Sequence, residues 1–472
     1  MQRLDWVVLI ASLAAIVIYG VWKGRGSRDI QGYLLADREL RWFPILLSIM
    51  ATQASAITFL SAPGQAYVDG IRFVQFYLGL PLAMIILSIT AIPLYHRLKV
   101  YTAYEYLEHR FDVKTRSLAA LLFLTQRGLA AGLTIYAPSL ILSVLLGWDL
   151  SVTTFAIGSL VVIYTALGGT RAVNWTQFQQ MLIIGTGMVA AFFTMVFLLP
   201  QDVSFGEAVT VAGRLGKLNA IDFSFDLNNR YTIWSGLIGG LFLQLSYFGT
   251  DQSQVQRYLT GRSVAHSRMA VLSNGMVKIP MQFSILFMGA LLFVFYQFHT
   301  PPLFFNPVQS QQVKESIYAE QFRDLESRHR QLAAEKEQAL RQWLQQKGDE
   351  NNAASQNTEH TLSELTRQSK VLRTKAKELI VQNDPEADDS DTNYIFLTFV
   401  LNFLPVGLVG LVLAAIFSAS MSSTASELNA LASTTIVDIY RRNFKKQGSD
   451  RHYLIAAKFA TLLWGSYAIL LA

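Results

Sequence analysis

The sequence has 472 residues, of which 52% are hydrophobic and 15% are charged, and its mean hydropathy is +0.31. It contains no cysteine, which excludes disulfides, thiolate catalysis and cysteine-ligated metals. The formal net charge of +6 does not indicate nucleic-acid binding, because the basic residues lie in short loops between apolar segments. These properties predict a polytopic α-helical protein embedded in a lipid bilayer.

The apolar segments are mostly close to the ~20 residues that a helix needs to cross a bilayer. In chain order they are Asp5–Trp22, Trp42–Pro63, Phe73–Tyr95, Leu118–Leu146, Val152–Leu167, Gln177–Leu199, Trp234–Tyr247, Met269–Tyr296, Leu408–Ala425 and Tyr453–Ala472. The first segment lacks a basic n-region and a clear cleavage site, so we do not expect it to be a cleaved signal. The last segment has no polar flank, and further helices are expected beyond residue 472.

Short basic loops predict the orientation. Their residues are Lys23, Arg25, Arg28, His96, Arg97, Lys99, Arg257, Arg262, Arg268, Arg441, Arg442, Lys445 and Lys446. Placing these loops in the cytoplasm satisfies the positive-inside rule. The N-terminus is then extracellular or periplasmic, and the expected location is the cell (inner) membrane.

A hydrophilic segment at about 300–393 falls on the outer side and is too long for a simple connector. Apolar residues recur in it at spacings of three and four, which predicts two amphipathic helices in an antiparallel hairpin. The spaced positions are Tyr318, Phe322, Leu325, His329, Leu332, Lys336, Ala339 and Trp343, then, after a breaker at Gly348–Asn352, Leu362, Leu365, Leu372 and Leu379. Such a hairpin is available to an extracellular partner; the alternative is a disordered charged linker.

Small and polar residues crowd the middle of the second apolar segment, at Met50–Ser61. A helix that only crosses lipid has no need for them. A discontinuous transporter helix does, because an unwound stretch at Ala51–Ala54 exposes carbonyls that can bind a cation at the bilayer midplane. The alternative is a small-residue packing face between helices.

A second polar cluster, at Phe417–Glu427, offers hydroxyls at Ser422 and Ser423 beside the Ala419 carbonyl. Together with carbonyls from the first cluster, these make about five neutral oxygens, which suits a weakly held monovalent cation. A third cluster, at Leu243–Gln254, contains a helix interruption at Gly249. Interrupted helices in both halves of the chain are typical of an inverted repeat with a midplane site.

At these positions the sequence resembles the sodium/solute symporter family, and most closely its iodide, monocarboxylate and vitamin branch. The resemblance rests on Thr102–Glu108, Ile135–Leu142, Gly168–Thr176, Asp251–Tyr258, and Ser422–Asn429 followed by Asp438–Tyr440. It implies a LeuT-type bundle of five plus five inverted helices, preceded by one extra helix. The expected parts are 1–41 (extra helix and loop), 42–199 (first repeat), 200–230 (outer loop), 231–299 (start of the second repeat), 300–393 (insertion) and 394–472 (continuation of the second repeat).

The resemblance implies a main sodium site at Ala51, Ala54, Ala419, Ser422 and Ser423, the set that the clusters also indicate. A second sodium site in some members uses an acidic residue, and that position here is Gln177, with Ala425 at a hydroxyl position. One coupling Na⁺ is therefore expected.

Substrate contacts carried over from the sugar-transporting branch fall on Thr58, Tyr77, Leu80, Gln244, Tyr247 and Lys278. Tyr77 and Leu80 depart from the polar residues of that branch. Two intramembrane cations, Arg127 and Lys278, could hold a substrate carboxylate. The alternatives are an inner-gate ion pair for Arg127 and snorkelling to the interface for Lys278.

The sequence thus predicts a functional monomer that carries out sodium-coupled symport of a small polar organic solute, with an organic anion favoured. It predicts no enzyme, since no nucleophile–base pair is found. The alternatives are a sodium-coupled sugar symporter and, from another class, a transporter-like sensor that signals through the 300–393 insertion.

Overall fold

The computed structural model describes residues 1–24, 29–226, 228–346 and 353–472. The basic residues Arg25 and Arg28 and the breaker Gly348–Asn352 lie outside the described residues.

The described chain is built from helices. Their bounds are α1 (Arg3–Gly24), α2 (Ile30–Leu35), α3 (Trp42–Gln53), α4 (Ala56–Asp69), α5 (Leu80–Ile89), α6 (Ala91–Leu98), α7 (Glu105–Arg110), α8 (Val113–Leu146), α9 (Leu150–Phe197), α10 (Phe205–Arg214), α11 (Gly240–Gly249), α12 (Gln252–Leu259), α13 (Val264–Phe298), α14 (Pro307–Lys314), α15 (Ala319–Gln346), α16 (Ala353–Asn383), α17 (Thr392–Phe403), α18 (Leu408–Thr434) and α19 (Asp450–Leu471). Short 3₁₀ segments lie at Ala36–Arg38 and Ile71–Tyr77, and π-helical segments at Ser235–Gly239 and Thr435–Phe444.

Most of the predicted apolar segments coincide with helices long and apolar enough to cross a membrane. These are α1, Ile71–Leu98, α8, α9, α13, Leu408–Phe444 and α19, together with α3 and α4, which meet at a bend of 62°. The predicted segment Trp234–Tyr247 instead contains a π-helical turn followed by the short α11. The short apolar helix α17 was not among the predicted segments.

Helix α9 contains two predicted segments, and its 48 residues would extend for about 72 Å, more than twice one bilayer core. The two halves meet at Gly169, whose φ of 55° and ψ of −152° are not helical. Only glycine adopts this backbone conformation without strain. A side chain there would also overlap the carbonyl oxygen of Tyr33. Gly169 therefore allows the chain to turn between two separate segments.

Helix α18 lies at the centre of the bundle. Every residue from Val412 to Thr434 is buried, and the helix packs against α9, α1, α8, α19 and α3. A helix enclosed on all sides presents its polar side chains to protein rather than to lipid. The serines of α18 are therefore positioned to contact other helices.

The hydrophilic segment contains two long helices, α15 and α16, which pack against each other, and a short helix, α14, which was not predicted. The buried positions on α15 include Phe322, Leu325, Leu332 and Trp343, which follow the predicted spacing. His329 and Lys336 occupy the same buried stripe. The side of the membrane on which this hairpin lies remains a prediction.

Gly169→Ala is expected to destabilise the protein by ~1–3 kcal/mol from backbone strain alone, with the overlap on Tyr33 adding to it. Gly185→Ala in the same helix is the matched control, because nothing lies within 4 Å of a side chain placed there. Thermal unfolding of the purified variants in detergent measures the difference. Equal midpoints for the two variants would contradict the role given to Gly169.

Candidate functional site

The first helix pair breaks at Ala54 and Ser55, between α3 and α4. Ala51 itself is still helical, so the predicted unwinding of Ala51–Ala54 was placed too early in the chain. The correction leaves the chemistry unchanged, because carbonyls in the last turn of a helix have no intrahelical donor even without unwinding. The last i→i−4 hydrogen bond of α3 joins the Ala54 N–H to the Met50 carbonyl at 2.9 Å.

Hydroxyls of α18 meet these free carbonyls. Ser422 Oγ lies 2.8 Å from the carbonyl oxygen of Ala51 and 2.9 Å from that of Ala419. Ser423 Oγ donates to the carbonyl of Thr52 at 3.3 Å. Ala54, with φ −92° and ψ 83°, forms the break itself. All of these residues are buried. The hydroxyls of Ser422 and Ser423 therefore meet the carbonyls of Ala51 and Thr52 inside the protein.

This donor set is neutral and consists of carbonyl and hydroxyl oxygens, the ligand type that hard cations prefer. Within the ranges that the structure describes, no group of three or more His, Asp or Glu side chains could hold a metal ion. The arrangement therefore suits a single positive charge better than a divalent ion, which would call for carboxylates.

Gln177 on α9 closes one side of this oxygen cluster. Its side-chain Nε2 donates to Ser426 Oγ at 2.6 Å, to the Ser422 carbonyl at 3.0 Å and to Thr52 Oγ1 at 3.1 Å. Its Oε1 accepts a hydrogen bond from Ser48. An amide N–H₂ thus occupies the polar centre where an acidic residue would otherwise favour a cation.

A cavity of about 840 Å³ lies beside the break, toward the end of the bundle that carries the basic loops. Its lining includes Gln53, Arg127, Gln244, Tyr247 and Asp251. Among the described residues, neither Gln53 Oε1 nor Gln244 Oε1 has a hydrogen-bond partner. Gln53 was absent from the predicted site residues, although its place within the polar Met50–Ser61 stretch was the available signal.

Arg127 is held by two carboxylates. Its Nε donates to Asp251 at 2.8 Å, its Nη2 pairs with the same carboxylate, and its Nη1 donates to Glu427 at 3.1 Å. Thr134 Oγ1 donates to the other Glu427 oxygen at 3.0 Å, and the ring centroid of Tyr247 lies 5.5 Å from the guanidinium. Arg127 therefore lies in an ion-pair network, which was the alternative hypothesis for this residue. Its guanidinium is not left free to bind a substrate carboxylate.

The other positions carried over as substrate contacts do not line this cavity: Thr58, Tyr77, Leu80 and Lys278. Thr58 lies in the first turn of α4. Lys278 is fully buried, and its Nζ lies 5.5 Å from the ring centroid of Tyr77. Its Nζ has no hydrogen-bond partner in the described part of the chain. The side chain does not snorkel to an interface, so Lys278 keeps an unpaired amine inside the bundle.

Two other motifs of the sequence meet at the basic-loop end of the bundle. Asp438 accepts from Thr102 Oγ1 at 2.7 Å and from Arg116 Nε at 2.7 Å. Arg116 also donates to Glu108 at 2.8 Å. Residues separated by more than 300 positions are thereby fixed to one another, which ties α8 to the π-helical segment that follows α18.

The family model for the sodium:solute symporter family matches residues 33–319 and 379–472. The human sodium/iodide cotransporter is 32% identical over 62% of this chain and 45% of its own length. The sodium-dependent multivitamin transporter of Oryctolagus cuniculus is 35% identical over 62% and 46%. The sodium-coupled monocarboxylate transporter 1 of Mus musculus is 33% identical over 57% and 44%. The chain thus spans about half the length of the curated relatives it matches.

A solved structure, the substrate-bound outward-open state of a Na⁺-coupled sialic acid symporter, superposes with a TM-score of 0.74 at 25% sequence identity. The superposition covers all of this chain and 82% of the symporter chain. The predicted all-helical LeuT-type fold class is therefore confirmed, and the relatives are transporters rather than enzymes. Residues between 319 and 379, most of the hairpin, lie outside the family match.

Arg127→Gln is expected to destabilise the protein by about 3–5 kcal/mol, because Asp251 and Glu427 would lose their shared counter-charge. The double variant Arg127→Gln/Asp251→Asn should recover part of this loss. Arg328→Gln is the control, since its partner Asp324 and Arg328 itself are exposed and such pairs contribute only ~0–1 kcal/mol. The free energies come from thermal unfolding in detergent. Strictly additive losses in the double variant would show that Arg127 and Asp251 are not coupled.

Proposed function

The chain belongs to the sodium:solute symporter family, and we propose that it couples uptake of a small polar organic solute to one Na⁺ by alternating access. The observation that carries the proposal is the contact of Ser422 Oγ on α18 with the Ala51 carbonyl at the end of α3, beside the Ala419 carbonyl of α18 itself. An ion bound here would take its ligands from α3 and α18 together. Its arrival or departure would therefore change how strongly these two helices are held.

The proposed cage consists of the carbonyls of Ala51, Ala54 and Ala419 and the hydroxyls of Ser422 and Ser423. With no carboxylate in the set, binding is weak, as a coupling ion that leaves on every cycle requires. A site near the middle of the bilayer also lies within the membrane potential. Inward movement of one charge contributes ~2.3 kcal/mol per 100 mV to transport.

Gln177 supports a stoichiometry of one sodium. A carboxylate at this position would attract a second cation, whereas the Gln177 amide donates N–H groups to Thr52 and Ser426. Ala425, at the neighbouring hydroxyl position, supplies no side-chain oxygen. A second cation would have to displace these hydrogen bonds and would gain no charged ligand in return.

The proposed substrate class is a small organic anion. Lys278 is the observation that supports it, because this buried amine has no carboxylate within ion-pair distance among the described residues. The names of relatives include iodide and monocarboxylate cotransporters. A neutral sugar is the second candidate, favoured by the free acceptors Gln53 Oε1 and Gln244 Oε1, which would bind substrate hydroxyls.

We place the chain in the cell (inner) membrane as a functional monomer, with its N-terminus and the hairpin outside. The basic loops support this orientation through the positive-inside rule. The cavity lined by Gln53 and Arg127 would then lie on the cytoplasmic side of the helix break, as in an inward-facing state.

Ser422→Ala is expected to raise the sodium concentration for half-maximal uptake by roughly 5- to 150-fold, since a lost and uncompensated oxygen costs ~1–3 kcal/mol. Ser418→Ala is the matched control, because Ser418 is one turn earlier on α18, is equally buried, and its Oγ has no hydrogen-bond partner in the described chain. The measurement is uptake of a labelled solute into proteoliposomes at graded sodium. The sodium assignment fails if both variants keep wild-type sodium dependence at equal protein levels.

Lys278→Met should raise the apparent KM for a transported anion by about tenfold or more, because a contact to a charged group is worth ~1.5–3 kcal/mol. Its sodium dependence should stay unchanged. Lys445→Met, in an exposed loop, is the control. A panel of monocarboxylates, iodide, sugar acids and hexoses identifies the substrate. Saturable uptake of a neutral hexose, with none of the anions and no effect of Lys278→Met, would replace the anion with a sugar.

A further inference from the structure

A second polar cavity lies at the opposite end of the bundle, beneath the hairpin. Its volume is about 260 Å³. Its walls come from α4 at Tyr67, from the end of α13 at Phe293, and from both hairpin helices, α15 and α16. It shares no lining residue with the cavity beside the helix break. Tyr67 is about 16 Å along α4 from the start of that helix, so the two cavities are well separated.

Basic side chains line the cavity, and no aspartate or glutamate is among its described lining residues. The basic residues are Lys217, His329, Lys336, Lys370 and Arg373. Carboxylates outside the lining interact with some of these side chains: Asp69 with Lys217, Glu326 with His329 and Asp391 with Arg373. Within the described ranges, Asp391 is the one carboxylate that forms an ion pair with a lining residue, and it accepts from a single Arg373 nitrogen, Nη2, at 2.7 Å. Among the described residues, Arg373 Nη1 is buried without a hydrogen-bond partner.

Lys217 and Lys336 face the same aromatic ring. Their Nζ atoms lie 4.4 Å and 5.4 Å from the ring centroid of Phe293. Lys217 Nζ donates to the Val68 carbonyl at 2.5 Å, whereas Lys336, only 8% exposed, has no hydrogen bond or ion pair in the described chain. Like charges that line one cavity repel each other, and a bound anion would reduce that repulsion.

The electrostatics of these groups agree with the geometry. Burial, and after it the neighbouring Lys217, lower the pKa of Lys336 to about 8. Burial also lowers the pKa of Lys217 to about 8, and Lys370 and Arg373 act in the same direction against Asp69. His329 is 3% exposed, and its Nδ1 has no hydrogen-bond partner among described residues. The cavity therefore keeps unmatched positive charge and unused polar atoms at the same place.

We propose that this cavity binds a small oxyanion, such as a phosphate or a carboxylate, between the hairpin and the helical bundle. Lys217 and Lys336 supply the charge, and Arg373 Nη1 supplies a directed donor. Lys370, exposed at the rim, adds to the attraction of an anion from water. Because α15 and α16 provide Lys336 and Arg373, the hairpin is part of the binding site rather than only a connector.

The anion could come from external water or from the headgroup of an anionic lipid. A free anion from the external water is favoured, because polar residues of the hairpin enclose much of the cavity. These residues, all on α15 or α16, are His329, Lys336, Thr366, Ser369 and Arg373. A lipid headgroup would have to pass between these helices and the bundle. Both sources present the same oxygens, so the experiment has an arm for each.

The probe is inorganic phosphate, added to the purified full chain at constant ionic strength, with chloride as the balancing anion. Thermal unfolding and calorimetry measure binding. We expect phosphate to raise the unfolding midpoint of the wild type, and Lys336→Gln and Lys217→Gln each to weaken binding about tenfold or more. Lys375→Gln is the matched control, because Lys375 is exposed on α16 and does not line the cavity.

The same measurement in nanodiscs, with and without phosphatidylglycerol, separates the two sources. In one outcome, phosphatidylglycerol stabilises the wild type but not Lys336→Gln, and free phosphate has no effect. That outcome would support the anion site and identify a lipid headgroup as its ligand. No phosphate effect and no phosphatidylglycerol effect on the wild type would overturn the proposal. Equal effects in the wild type, Lys336→Gln and Lys217→Gln would also overturn it. If Lys336→Gln does not fold, Lys217→Gln decides the outcome.

Discussion

The structure depends on one constraint: a helix that breaks inside a bilayer must have its free carbonyls bound by the protein itself. Here α3 ends at Gln53, and the carbonyls of Ala51 and Thr52 are bound by Ser422 and Ser423 of α18. Because α18 supplies these partners, it has to lie at the centre of the bundle, where it is buried along almost its whole length. The break and the central helix therefore require each other.

The polar groups of the bundle divide into two classes. Arg127 and Arg116 are matched by carboxylates, which neutralise their charge and tie distant helices together. Gln53 Oε1, Gln244 Oε1 and Lys278 Nζ have no hydrogen-bond partner in the described part of the chain. Unmatched polar groups are costly in a buried place. Gln53 and Gln244 line the cavity beside the helix break, where a bound solute would lower that cost.

The sequence predicted much of the site because its signals are local. Hydroxyls at Ser422 and Ser423 and small residues at Ala51 and Ala54 stand out within apolar segments, and the break between α3 and α4 follows from them. The start of the break was misplaced by a few residues, because helix ends depend on which carbonyls find partners elsewhere. The partners of Arg127 could not be read from the chain, because Asp251 and Glu427 lie 124 and 300 residues away.

The hairpin shows the same limit. Its spacing predicts two amphipathic helices, and two helices lie there, yet spacing alone does not tell which faces meet the bundle. His329 and Lys336 fall within the apolar stripe of α15 by period, and only the packing against α13 shows that they face a cavity. The basic side chains around that cavity come from three separate parts of the chain.

Equilibrium binding of radioactive sodium to the purified protein tests the central claim most directly. We expect one sodium per chain, and loss of binding when Ser422 and Ser423 are both changed to Ala. Binding of two sodium ions per chain, or sodium binding that is unchanged in the Ser422→Ala/Ser423→Ala variant, would contradict a single ion held at the break between α3 and α4.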